Sequence, residues 1–216
     1  MKKFTVATTI IFAVMFSLTV YSQSISIGVG GGLTNVVGSE DFTNKITEDG
    51  LAYSTEWNMG VVAKLGLPII PITPRAFILY HSFSGSDNID DIQLAKGTSI
   101  NSTEISNSQS LLSVGLGVQY GFIPIPVGID PYLAIDLMYN NFGELEVMTP
   151  TQTIVLNESL SRFGLGLGVG AEVSIIPMLN LDVLVSYQMM NLVGKEDGES
   201  SLSILTLDAF LLFSLL

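Results

Sequence analysis

The chain has 216 residues, of which 48% are hydrophobic and only 13% charged, with 21 Gly, one His, one Trp and no Cys. Twenty acids against eight Lys and Arg give a formal net charge of −12, which excludes the Lys and Arg patches that nucleic acid requires. No Cys means no disulfide, thiolate metal site, Cys nucleophile or Cys-linked lipid, and one His leaves no multi-His metal centre within one chain. So little charge also makes an ordinary soluble surface hard to build.

Lys2 and Lys3 open the chain, an apolar run follows from Val6 to Val20, and small residues stand at Val20 and Ser22. A basic start, an apolar middle and a small-residue end make a secretory signal peptide, here cut between Ser22 and Gln23. The run is too short for a membrane helix, which takes about 20 apolar residues, and no basic stop-transfer group follows it. The expected organisation is therefore a signal peptide over residues 1–22 and one exported domain over 23–216. Removing two Lys takes the net charge from −12 to −14.

Beyond the leader, alternation of period two recurs, the mark of strands with two unlike faces. Ser24–Leu33 begins it weakly. Tyr53–Leu67 sets Trp57, Met59, Val61, Ala63 and Leu65 against Asn58, Gly60, Lys64 and Gly66. Arg75–Ser84 is weaker, and Leu112–Phe122 alternates apolar residues with Ser113, Gly115, Gly117, Gln119 and Gly121. Asp130–Phe142 follows, then Phe163–Ile175 with Gly164, Gly166, Gly168, Gly170 and Glu172 on its second face. Leu181–Met189 and Leu202–Leu216 complete eight strands. Three connections are short and hold seven of the eight prolines: Pro68–Pro74, Ile123–Pro131 and Ile176–Asn180. Four are long and polar: Gly38–Ala52, Gly85–Ser110, Gly143–Ser161 and Asn191–Ser201. Strict alternation of long and short predicts an all-β fold, an eight-stranded antiparallel up-and-down barrel with long loops at one rim.

A soluble carrier barrel of this size would show a charged exterior, whereas the polar face here is mostly Gly, Ser and Asn. The apolar face is nearly free of charge over about ten residues per strand, enough for a tilted strand to cross a bilayer. Two aromatic girdles are expected on it. Tyr53, Trp57, Phe83, Tyr139, Phe163 and Tyr187 fall near the long loops, and Phe77, Tyr120, Phe122 and Phe213 near the short turns, as interfacial rings prefer.

With its signal peptide, eight strands and alternating loops, the mature chain resembles the outer-membrane β-barrel domain family, the small OmpA- and OmpX-like barrels. Gln23 at the new N-terminus is similar to exported barrels of Bacteroidetes-type bacteria. The resemblance implies residence in the outer membrane of a Gram-negative bacterium, as a monomer, among outer-membrane lipid and lipopolysaccharide. It also implies recognition of the last strand, Leu205 to Leu215, by the outer-membrane assembly machinery, although Leu216 replaces the usual terminal aromatic residue. The peptidoglycan-binding domain of full OmpA proteins is absent from this sequence.

Glu56, Asp136, Glu172, Asp182 and Asp208 are expected inward, with Lys64 as the clear inward cation and Arg75 joining it. Lys64, Glu172 and Asp182 all fall close to the short-turn ends of their strands and are expected at one depth. Unpaired buried carboxylates are costly, so a salt-bridged cluster closing the lower lumen is predicted, read as a polar plug or as a gate or cation pathway. Inward glycines leave either close packing or a small cavity, with Tyr80, Met138, Gln188, Met190, Phe210 and Leu212 as its fillers. Fourteen of the twenty acids fall in the long loops, beside Lys45, Lys96 and Lys195, with no calcium-loop ladder among them. No cofactor or metal site is expected. His81 lies near Ser82 and Ser84, but neighbouring strand residues face opposite ways, so a hydrolytic centre is not expected. A structural or surface-interaction barrel leads, a narrow conduit is the alternative, and a lipid-modifying enzyme is remote.

Overall fold

Each alternating stretch becomes a strand because one of its faces can be buried only if the strand curls around it. In the computed structural model, residues 24–45, 50–67, 70–89, 103–122, 128–148, 153–157 and 159–215 are described. The cleavage site at Ser22 and Gln23 and the terminal Leu216 lie outside them. The strands are β1 (Ser24–Gly38), β2 (Glu56–Gly66), β3 (Ile72–Ile89), β4 (Thr103–Gly121) and β5 (Ile129–Phe142). After them come β6 (Leu145–Met148), β7 (Thr153–Asn157), β8 (Leu160–Ile176), β9 (Leu179–Val193) and β10 (Leu202–Ser214). A short helix, α1 (Glu40–Thr43), is capped by Ser39 in the first long loop.

Eight strands form the wall in the order β1-β2-β3-β4-β5-β8-β9-β10, and β10 pairs back onto β1 to close it. Every one of these pairings is antiparallel. Paired residues followed around the wall run Ser26, Lys64, Arg75, Gly117, Asp136, Gly166, Gln188 and Ile204. They return to β1 at Val36, ten positions beyond the start. That stagger tilts the strands and sets the bore, which at eight strands is just wide enough to be filled by side chains.

The two faces differ as the alternation requires. Leu116 and Leu137 are 69% and 66% exposed on the outside, among Val29, Val61, Ile135, Val169 and Leu207. Inside, Leu184, Met138, Met190, Phe210 and Leu212 are buried. Trp57, Tyr139, Phe163 and Tyr187 are exposed on the outer wall toward the long loops, and Tyr120, Phe122 and Phe213 toward the short turns.

Three girdle expectations are corrected. Phe77 and Phe83 are buried in the lumen, while Tyr80, expected as a filler, is exposed outside. On β3 the parity of Arg75 decides the face: an ion cannot point into hydrocarbon, and Phe77, Leu79, His81 and Phe83 share its side. Tyr53 is also buried. It precedes β2, pairs with Gly85 as an isolated bridge, and is carried inward by the returning first loop.

The long connections hold more structure than their polarity implies. β3 and β4 stay paired beyond the wall, out to Ile89 and Thr103. The third loop contains the β6–β7 hairpin, which pairs with β4 at Ser106–Ser108.

Glycine in the wall makes room for neighbours rather than an open pore. The phenyl of Phe77 lies against Gly115, Tyr132 against Gly170, and the Asp136 carboxylate against Gly117. A methyl group at Gly117 would collide with Asp136 and Ile135, whereas one at Gly166 would meet Asp136 and Gln188 at 3.4–3.6 Å, ordinary contact. Gly117→Ala is therefore expected to cost about 1–3 kcal/mol through overpacking, and Gly166→Ala to be neutral or slightly stabilising. Urea unfolding in detergent micelles, followed by Trp57 fluorescence, measures both; equal costs would contradict the packing described.

Candidate functional site

Register puts like charges side by side in the wall. Lys64 on β2 pairs with Arg75 on β3, and Glu172 on β8 pairs with Asp182 on β9. Adjacent like charges destabilise a strand pair, so each needs a partner from across the lumen. Lys64 supplies one: its Nζ lies 2.8 Å from Asp182 Oδ2 and 3.2 Å from Glu172 Oε2. The ammonium also sits 5.1 Å from the Tyr132 ring centre. Tyr132 donates its hydroxyl to Asp182 Oδ1 at 2.6 Å, and Asn180 donates to Glu172 Oε1 at 2.6 Å.

Arg75 turns to the other side. Gly117 stands between it and Asp136 in the register, and the missing side chain lets the guanidinium cross to β5. Nη2 donates to Asp136 Oδ2 at 3.1 Å, and Nε lies 2.9 Å from Oδ1. The same group lies 5.0 Å from the Phe77 ring centre. Lys64, Arg75, Asp136 and Asp182 are all buried, and the partly exposed Glu172 opens onto the short-turn mouth. A cavity of about 300 Å³ occupies that mouth, lined by Lys64, Gln119, Asp130, Tyr132 and Glu172 among others.

Asp208 lies in the lumen in a different network. Asn58 donates to its Oδ1 at 2.7 Å and Thr206 to its Oδ2 at 2.8 Å. Asn58 also donates to Thr34, whose hydroxyl is 3.1 Å from His81 Nδ1, and Thr206 bonds Ser186. His81 is fully buried. Ser82 is on the opposite face of β3, and Ser84 donates to Glu56. The three residues do not assemble into a nucleophile and base, which need mutual hydrogen-bond reach.

The long-loop end is closed by other means. Rings stack in a column from Phe42 to Tyr53 (6.2 Å), Tyr53 to Phe83 (5.5 Å) and Phe83 to His81 (6.2 Å). Beside it, Arg162 on β8 points inward and is a second-rim cation that the sequence reading missed, although it shares the parity of Gly164 and Gly166. Its Nη2 lies 2.6 Å from Glu199 Oε2 and its Nε 3.0–3.1 Å from both carboxylate oxygens. Partial burial works against ionisation of Glu199, but hydrogen bonds from Arg162, Asn191 and the Glu196 backbone outweigh it and hold the carboxyl at about 2.

No family model matches this chain, and no curated protein matches it. Solved structures do. Neisserial surface protein A (NspA) is similar at a TM-score of 0.54 and 16% identity, over 89% of this chain and 99% of that one. A major outer membrane protein from Thermus thermophilus is similar at 0.56 and 16%, over 90% of this chain and 100% of that one. The shared feature is the fold, the small closed barrel of outer-membrane proteins.

Removing Lys64 strands two carboxylates. Lys64→Met is expected to cost about 3–5 kcal/mol, with part of the loss recovered when Asp182→Asn is added. Urea unfolding gives both numbers, and a single-variant loss below about 1 kcal/mol would mean that the ion pairs do not hold the lumen together. At the other rim the Glu199 carboxyl is lowered on folding from 4.5 to about 2. Its stabilisation is complete above pH 4.5 and is lost as pH falls toward 2. Glu199→Gln should flatten that part of the stability–pH curve, as thermal melts from pH 5 to pH 2 would read.

Proposed function

We propose that the chain is an integral barrel of the outer membrane of a Gram-negative bacterium, with a structural or surface-interaction role. The observation that carries this reading is the combination of an apolar outer band with a filled lumen. Residues such as Leu116, Leu137, Val169 and Phe163 stay 50–70% exposed around the wall, an arrangement stable only against lipid. Backbone donors and acceptors are meanwhile satisfied by closure. The short turns face the periplasm and the long, acidic loops face outward. A signal peptide exports the chain, the β10 strand is its signal to the assembly machinery, and the barrel works as a monomer among outer-membrane lipid and lipopolysaccharide.

The role is non-enzymatic in this reading. His81 is buried at the inner end of the aromatic column, and the carboxylates of the lumen are tied to Lys64 and Arg75 or, for Asp208, to Asn58 and Thr206, rather than to an accessible nucleophile. A conduit is disfavoured for the same reason: the mouth cavity ends on the Lys64 ion pairs, and Phe77, Phe210 and Leu212 fill the bore beyond them.

Protein refolded into lipid vesicles should migrate differently on gels before and after heating, and should give no stable openings in planar bilayers. Solubility without detergent together with heat-independent mobility would sink the membrane reading. Regular conductance steps would instead make the conduit the better account.

A further inference from the structure

On the outer wall, two open hollows meet at Tyr80. The one nearer the short turns, about 400 Å³, is apolar, with Val29, Met59, Val61, Ile78 and Leu112 around the paired Gly30 and Gly60. The one nearer the long loops, about 460 Å³, is polar and is lined by Ser82, Ser108, Ser110, Glu144 and Glu146 together with Gln109. Tyr80 lines both.

Register explains the arrangement. Tyr80 pairs with Met59 and Leu112, while two and four positions on, Ser82 pairs with Ser110 and Ser84 with Ser108. The wall therefore changes from hydrocarbon to hydroxyl within one residue pair on the same face. Glu146 joins because β6 pairs it with Ser108, and Gln109 holds the corner by donating to Gly143 O at 3.1 Å. The ring of Tyr80 packs 5.8 Å from Trp57, so the change falls at the aromatic belt, where hydrocarbon gives way to headgroups.

We propose that this groove holds one outer-leaflet glycolipid, with an acyl chain in the apolar half and a sugar in the polar half. The inference rests on the membrane reading above. An amphiphile is required because the two halves are continuous at Tyr80 and differ in chemistry: the apolar hollow ends at the belt and the polar one begins there. The sugar follows from the lining. Serine hydroxyls donate to and accept from a polyol, carboxylates accept from its hydroxyls, and the Tyr80 ring, which lines both hollows, gives an apolar face for the C–H side of a hexose. Among the described residues no Lys or Arg lines the polar half, and two carboxylates there oppose a phosphate headgroup.

Native mass spectrometry of the full mature chain in micelles tests this, with monoglucosyl diacylglycerol and phosphatidylglycerol of identical chains added in equal amounts and glucose in a separate arm. The wild type should retain the glucosyl lipid at least about fivefold over phosphatidylglycerol, the scale of one charge repulsion near a wet surface. Glu144→Lys with Glu146→Lys should invert that order, and Tyr80→Ala should weaken retention of both lipids. Equal retention by the wild type, an unchanged order after charge reversal, or glucose held as well as its lipid would each overturn the proposal. Every sample is also run on gels with and without heating. A wild type without heat-modifiable mobility overturns the membrane reading and this site with it, whereas a heat-modifiable barrel showing no preference overturns the site alone.

Discussion

Closure of the wall is the constraint on which the rest depends. A backbone N–H or C=O in hydrocarbon has no water to bond, and each one left unpaired costs several kcal/mol. The β1–β10 pairing, continuous from Ser26–Ser214 to Gly38–Leu202, removes the last free edges of the ring. Once eight strands close with a stagger of ten positions, the bore has a fixed width, and every inward residue must fit the same narrow column. Glycine and large rings are then two sides of one requirement. Phe77 fits because Gly115 is beside it, and Tyr132 because Gly170 is.

That narrow column also decides how charge is arranged. Lys64 and Arg75 are neighbours in the wall, as are Glu172 and Asp182, so no acid can be paired with the cation next to it. Pairing has to run across the lumen, which ties β2 to β8 and β9 and ties β3 to β5 independently of the backbone ladder. These pairs cross-brace the wall in a place where apolar side chains of similar volume often stabilise as well or better. The opposite end is braced by aromatic stacking and by Arg162 with Glu199, nearer to water, where an ion pair loses less on desolvation.

Much of this was legible in the residues. Strand number, loop alternation and inward phase come from strict alternation in β2, β4, β8 and β9, where one face is apolar and the other is mostly small or polar. β3 departs from its expected phase because both its faces carry large apolar groups: Phe77, Leu79 and Phe83 on one, Ile78 and Tyr80 on the other. Hydrophobicity cannot separate such faces; only the ionic Arg75 and the polar His81 mark the lumen side. Tyr53 escaped for a different reason, since period two ends before Glu56 and a loop residue obeys tertiary packing instead. Parity puts Lys64, Arg75, Asp136, Glu172, Asp182 and Asp208 on the inward phase, and nearness to the short turns groups Lys64 with Glu172 and Asp182, but neither sends Arg75 to Asp136 nor sets Asp208 apart with Asn58 and Thr206. Which cation reaches which acid depends on stagger, and stagger is a property of the closed ring rather than of any strand.

The placement of the excess acid follows from the same geometry. Fourteen acids belong to the long loops, against Lys45, Lys96 and Lys195. Carboxylates held close to a leaflet that carries negative lipid would repel it, with a range of about 8–10 Å in physiological salt. The paired extension of β3 and β4 from Ser84 to Ile89 adds roughly 15 Å of strand beyond the wall, farther than that range even when tilted. A position at the far end of such a rise lies beyond that range from the lipid around its base. Glu144 and Glu146 break this pattern, since they sit low, beside Ser108 and Ser110 at the foot of the extension. Two carboxylates at headgroup level are a cost beside phosphate and an advantage only beside hydroxyls, and it is this asymmetry at Tyr80 on which the proposed glycolipid site rests.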